Sequence, residues 1–340
     1  MTRRRSIKAG LVSLFVLYAA GLSPVNAQSP DKIRVLFPTW TGFASVFVAD
    51  DLGYYKEQGL TVDAKFEDER PNVMAAMARG DIECDMRSLP EYQGRPRDPT
   101  TPGVIIGVID QSLGGDGVIA SGSIKGVADL KGKTVASEPN IPARLLLQIE
   151  LKKNGMTLAD VIMKDINTAD TVPVFSDPSI DAIITFEPFL SQTLEKLPQR
   201  KPHVIVSSRD YPGVVTDGII VRQDDLKANP KKYEKFLIGI YRATAYFATN
   251  RADYMKRAAP HFNLTAEQFE ASIKGSIEYV TFAQARAFLG TDGTPGTLYP
   301  IFDAVMKLNL ENGSADHLLT RATSFDTRAI AAIPPDRIPN

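Results

Sequence analysis

Two strongly apolar runs, GVIIGVID (103–110) and GVIAS (117–121), are separated by a segment with three glycines in four positions, 114, 115 and 117. Both runs are rich in valine and isoleucine and read as strands. A phosphate cradle would need the glycines to lead into a helix N-terminus that aims its N–H groups at the anion. Here Val118-Ile119-Ala120 follow instead and read as strand, and Asp116 would repel a phosphate. Two readings remain. One is an ordinary β-turn. The other is a crossing between two lobes, where glycines absorb the backbone rotation of a hinge.

The rest of the chain suits the second reading. IRVLFPTW, TVDAKFE, IECDM, TVAS, AIITF and GIIVRQ read as strands, and between most of them lie helical patterns such as NVMAAMARGDI and IPARLLLQIELKKNG. PEYQGRPRDPTTP, with four prolines, reads as mostly loop. Beyond it all, NPKKYEKFLIGIYRATAYFATN starts at an Asn-Pro cap and places Tyr233, Phe236, Leu237, Ile240, Thr244 and Phe247 on one face. Thr265 and Gln268 form a capping box for the helix after it. Alternating strands and helices followed by helices predict an α/β fold with mixed, mostly parallel sheets and C-terminal helices.

The N-terminus reads as a secretory leader. Arg3, Arg4, Arg5 and Lys8 precede an apolar run, Ala9–Leu22, too short for a lasting membrane span, and Val25-Asn26-Ala27 suit cleavage. With residues 1–27 removed, 35 Lys and Arg face 40 Asp and Glu. A mildly acidic exported chain is a poor partner for nucleic acid, which needs a basic face. The one cysteine, Cys84, has no internal disulfide partner and reads as a buried strand residue. His203, His261 and His317 lie too far apart for metal-ligand spacing. No metal or other cofactor is expected.

Ligands of open α/β sheets bind beyond the carboxyl ends of the strands. Those ends carry Trp40-Thr41, Asp68-Glu69-Arg70, Arg87-Ser88, Asp110-Gln111-Ser112, Ser137-Glu138-Pro139-Asn140 and Phe186-Glu187-Pro188. Trp40 is a platform for a flat or cationic guest, or packing. Glu187 accepts from a ligand N–H, or is a solvated charge at a helix start. Asp110 faces a ligand, or braces the hinge backbone. Arg87 and Arg144 pair with these acids or hold a ligand carboxylate. The run Asp68-Glu69-Arg70 reads as a solvated loop, and Asp116 as a hinge or turn residue.

VADDLGYYKEQGLTVDAKFE, MAAMARGDIECDM, DLKGKTVAS and DAIITFEPFLSQ, in that order behind a leader, resemble periplasmic solute-binding proteins of the nitrate/sulfonate/taurine importer type, including their pyrimidine-precursor-binding relatives. The resemblance spans roughly residues 31–250. It implies a two-lobed type II periplasmic-binding-protein fold, with lobe 1 from 28–112 plus 216–340 and lobe 2 from 113–215. It also implies a monomer that delivers a small molecule to an ABC permease at the inner membrane. By position it places Trp40, Thr41, Asp110, Asn140 and Glu187 in the cleft; Ser112 and Glu138 join them as neighbours at the strand ends.

The chain departs from the relatives that hold anions. Those often open the lobe-2 helix with small residues and free N–H groups, whereas this chain has SEPNIPAR, with Pro142 lacking an N–H and Glu138 adding charge. Where relatives often carry tryptophan, it has Phe186. Asp110, Glu138, Glu187 and Trp40 together favour a ligand rich in N–H donors: a small cation or a neutral nitrogen compound. The alternatives are a sulfonate or nitrate binder of the same type, a decarboxylase or pyrimidine-modifying enzyme on the same fold, and a sensory input protein.

Overall fold

The computed structural model describes residues 31–93, 103–139, 141–291 and 294–339. The leader, Asn140 and most of the proline-rich run lie outside the described residues. Strands β1 (Asp31–Phe37), β2 (Leu60–Phe66), β3 (Cys84–Ser88) and β4 (Gly103–Ser112) come first, with helices α1 (Ala44–Asp51), α2 (Arg70–Arg79) and α3 (Leu89–Gln93) between them. Next come β5 (Asp116–Ala120), β6 (Thr134–Ser137), α4 (Pro142–Lys153), β7 (Ile162–Asp165), α5 (Thr171–Phe175), β8 (Ala182–Phe186), α6 (Phe189–Lys196) and β9 (His203–Ser207). Then follow β10 (Thr216–Arg222), α7 (Gln223–Ala228), α8 (Pro230–Thr249), α9 (Arg251–His261), α10 (Ala266–Ile273), β11 (Ile277–Tyr279), α11 (Phe282–Leu289) and α12 (Tyr299–Glu311).

Two sheets result. One has the order β11-β4-β10-β3-β1-β2, the other β7-β6-β8-β5-β9. Among the described residues four strand pairs are parallel and five antiparallel. The antiparallel pairs are β10 with β3 and β4, β11 with β4, and β5 with β8 and β9. Helices cover both faces of the central strands, so β3, β5 and β8 are buried along their whole length. That burial matches the apolar character of β5 and β8, whereas β3 also buries Asp85 and Arg87. Cys84 is buried in β3.

The glycine segment joins the sheets: β4 ends in the first and β5 begins the second. The chain returns once, from β9 to β10 through 208–215. Ser208 ties the two crossings together. Its Oγ lies 2.8 Å from Ser112 Oγ and accepts from the backbone N–H of Gly114 at 2.8 Å and of Asp116 at 3.3 Å. Gly114 has φ +127°, a conformation that a side chain would strain. Gly117 lies within β5, where a Cβ would sit 2.7 Å from the Val206 carbonyl oxygen.

In the C-terminal region, Pro230 opens α8, and Tyr233, Phe236, Leu237, Ile240 and Thr244 are buried along it, with Phe247 partly covered. The Thr265–Gln268 capping box forms at the start of α10. Three-residue β11 pairs at the edge of β4, and Tyr279 at its end donates to the Thr41 carbonyl at 2.9 Å.

Candidate ligand site between the two sheets

The chain turns sharply after β1, with the Trp40 N–H donating to the Pro38 carbonyl at 2.7 Å. This aims the indole at the seam between the sheets. Its Nε1 donates to both Asp110 oxygens, at 3.1 and 3.3 Å. Its ring meets Phe186 from the second sheet edge-on, centroids 6.0 Å apart and planes at 83°. Two glycines make room for it. A Cβ on Gly42 would lie 2.2 Å from Trp40 Nε1, and one on Gly115 2.6 Å from Cη2.

Trp40, Arg70, Glu91 and Asp217 from one side meet Asp116 and Phe186 from the other around a cavity of about 20 Å³. That space suits about one water molecule. Of the residues expected from sequence, Trp40 faces this cavity. Asp110 stands behind it, fully buried and held by Trp40. Thr41 is buried with its Oγ1 unpartnered, and Ser112 is committed to Ser208. Glu187 accepts from Ser191, through Oγ at 2.7 Å and the backbone N–H at 3.2 Å, at the start of α6. Glu138 is taken by Arg70 Nε at 3.0 Å and by Thr168 Oγ1 at 2.8 Å. Asn140 lies outside the described residues.

Four charged residues at the cavity, Arg70, Glu91, Asp116 and Asp217, lay outside the expected set. Asp217 precedes the run read as strand, GIIVRQ, but belongs to β10, where it pairs in register with Asp110. Glu91 sits in a short helix inside the run read as loop. Arg70, read as part of a solvated charge run, is 6 % exposed and reaches Glu91 at 2.8 Å as well as Glu138. Its neighbours in that run do differ: Asp68 accepts from Thr39, and Glu69 accepts from Asn167 across the seam at 2.6 Å. Asp116, read as a hinge or turn residue, opens β5 and lines the cavity. Arg87 is fully buried on Asp85 at 2.8 Å and lies 3.7 Å from Glu91. Arg144 pairs instead with surface Asp165 at 3.2 Å, beside a separate cavity of about 230 Å³.

Seven buried carboxyl groups lie near the seam: Asp85, Glu91 and Glu138 on the buried guanidiniums of Arg70 and Arg87, and Asp110, Asp116, Glu187 and Asp217 without a cation among the described residues. Excess buried negative charge is resolved by protons or by a cationic or N–H-donating guest. Burial raises both Asp110 and Asp217; Asp217 is raised further by the charge of Asp110 and by its own hydrogen bond to it. The two therefore titrate as a pair that keeps a proton to higher pH than a lone carboxyl would. Asp116 is pushed up to about 8, first by burial, with the charges of Glu91, Asp110 and Glu187 adding to it. Glu187 is pushed up to about 7 by burial.

These acids bind protons more tightly folded than unfolded, so their stabilising effect is greatest at low pH. It is lost as pH rises from the ordinary carboxylate range through the raised values. Without ligand, thermal stability is expected to fall from about pH 5 to about pH 8, by at most about 1.4 kcal/mol per pH unit for each group. Thermal unfolding across that range checks this; the slope should flatten in Asp116→Asn, and a stability that rises with pH would contradict it.

Among the described residues no group of three or more His, Cys, Asp or Glu is placed to hold a metal ion, and no helix is long and apolar enough to cross a membrane.

Two mixed sheets joined by two crossings, with a cavity at the seam, form the fold of the two-lobed periplasmic binding proteins. The alkanesulfonate-binding protein SsuA of Xanthomonas axonopodis pv. citri, solved with MOPS bound, superposes with a TM-score of 0.69 at 15% identity, over 88% of this chain and 99% of that one. The periplasmic nitrate-binding protein NrtA of Synechocystis PCC 6803 gives 0.69 at 16% identity, over 91% of each chain. The desulfurization enzyme DszB, solved as a mutant in complex with biphenyl-2-sulfinic acid, shares the fold too, with a TM-score of 0.63 at 10% identity over 88% of this chain and 98% of that one. Residues 40–253 match the family described as NMT1/THI5 like, and the chain belongs to it. A protein of Brucella abortus (strain 2308), named only provisionally as a binding protein, is 23% identical over 273 residues, covering 80% of this chain and 83% of its own.

Proposed function

We propose that this chain is the periplasmic solute-binding component of an ABC importer, exported by a leader ending near Ala27. As a monomer it captures a small cationic or neutral nitrogen compound between its lobes. Lobe 1 is 28–112 with 216–340, and lobe 2 is 113–215. The lobes swing about the paired crossings pinned at Ser208, and the shut form docks on a permease.

The observation that carries the ligand class is that three buried carboxyls, of Glu91, Asp116 and Asp217, line the cavity with one guanidinium, of Arg70. A guest with N–H donors takes up acceptor capacity that otherwise needs protons. An anion has less to hold it here. Pro142 at the start of α4 offers no N–H, and Arg70 and Arg87 are already engaged by carboxylates.

Differential scanning fluorimetry with amines, amidines, ureas, amides and amino-heteroaromatics, set against alkanesulfonates and nitrate, tests this. Stabilisation by nitrogen compounds is expected; a response confined to sulfonates or nitrate overturns it. The proton shared by Asp110 and Asp217 also suits acid–base chemistry, so an enzyme is the second reading. Chemical change of a bound compound over hours would favour that reading, and its recovery intact favours capture.

A further inference from the structure

We propose that Arg70 selects the ligand by donating from Nη1 to a neutral carbonyl oxygen, so that the guest is a small carboxamide or urea-type compound rather than a simple amine or a zwitterion. This rests on the nitrogen-compound reading above and narrows it.

Arg70 lines the cavity, and its guanidinium spans the seam. Nη2 meets Glu91 at 2.8 Å and Nε meets Glu138 at 3.0 Å. Nη1 is buried and has no hydrogen-bond partner. A buried N–H without an acceptor is costly, so an acceptor atom on a guest would complete the hydrogen bonding of Nη1. The charge, however, is already spent. Two carboxylates neutralise Arg70, and Asp116 and Asp217 add carboxyl groups at the same cavity. A carboxylate or sulfonate placed on Nη1 would be a third acid on one guanidinium. A carbonyl oxygen accepts the same hydrogen bond with no charge to repel.

The carboxyl side makes the complementary demand. Asp116 and Asp217 accept from N–H groups, most fully once deprotonated. An amidinium satisfies them but leaves Nη1 bare and brings a cation up to Arg70. A carboxylate does the reverse. Only a group with both N–H and C=O meets both walls of the cavity at once.

Acetamide, acetamidinium and acetate are near-isosteric and separate these demands. Isothermal or NMR titration of the full mature chain should show acetamide binding, acetamidinium at least about tenfold weaker, and acetate not at all. Arg70→Lys keeps the charge but loses the planar fork, and should bring acetamide and acetamidinium within about threefold of each other. Glu138→Gln frees positive charge on Arg70 and should admit acetate; should either variant not fold, the wild-type series decides alone. If acetamidinium binds as tightly as acetamide, the role of Arg70 falls while the nitrogen-compound reading stands. If acetate alone binds, both fall. If none of the three binds, the carbonyl assignment falls, and the wider fluorimetry panel decides the nitrogen reading separately.

Discussion

Trp40→Ala is expected to abolish ligand binding and to destabilise the protein by about 3–5 kcal/mol. The indole carries three roles at once. It fills the seam against Phe186, it packs over Gly115 in the first crossing, and its N–H holds Asp110. Deleting it opens a cavity where the lobes meet and leaves Asp110 with only its Asp217 partner in a dry site. Trp40→Phe separates these roles, because it keeps much of the packing and loses the N–H. It should recover most of the stability while binding stays weakened. Urea denaturation and calorimetric titration read the two effects. Full binding by the alanine variant would mean that Trp40 is packing alone, the other reading its sequence position allowed.

The second large effect is expected at Arg70. Arg70→Met leaves Glu91 and Glu138 buried without their shared cation, and breaking a buried ion pair in this way typically costs about 3–5 kcal/mol. Because Glu138 lies on the second-sheet side and Glu91 on the first, the loss should appear as loosening between the lobes as well as lower stability. Adding Glu138→Met to Arg70→Met should restore part of it, since one of the orphaned charges is then gone. A double variant no more stable than the single would show that Glu138 is paired adequately by Thr168 alone.

What the amino-acid sequence made legible follows the range of the forces involved. The strand–glycine–strand run between 103 and 121 stood out because local φ freedom and β-branching are written in adjacent residues. So did the Asn-Pro start of α8 and the Thr265 capping box. Trp40 and Asp110 could be marked as candidates because the carboxyl ends of apolar strands are easy to locate. Arg70 was misread because nothing within its own charge run hints at Glu138, 68 residues away, which allows it to be buried. Asp217 was lost by starting β10 two residues late, although Asp110, Asp116 and Asp217 share a pattern: an aspartate near the edge of an apolar strand. Glu91 lay hidden because prolines on both sides suggested a loop, while α3 takes only five residues. The β11 strand is three residues long and depends on pairing with β4, so its own sequence carries little signal.

The most direct measurement is mass spectrometry of the small molecules released when the purified, exported protein is denatured. The account predicts about one equivalent of a neutral or cationic nitrogen compound per chain. Release of a sulfonate, nitrate or another simple anion at that stoichiometry would contradict it.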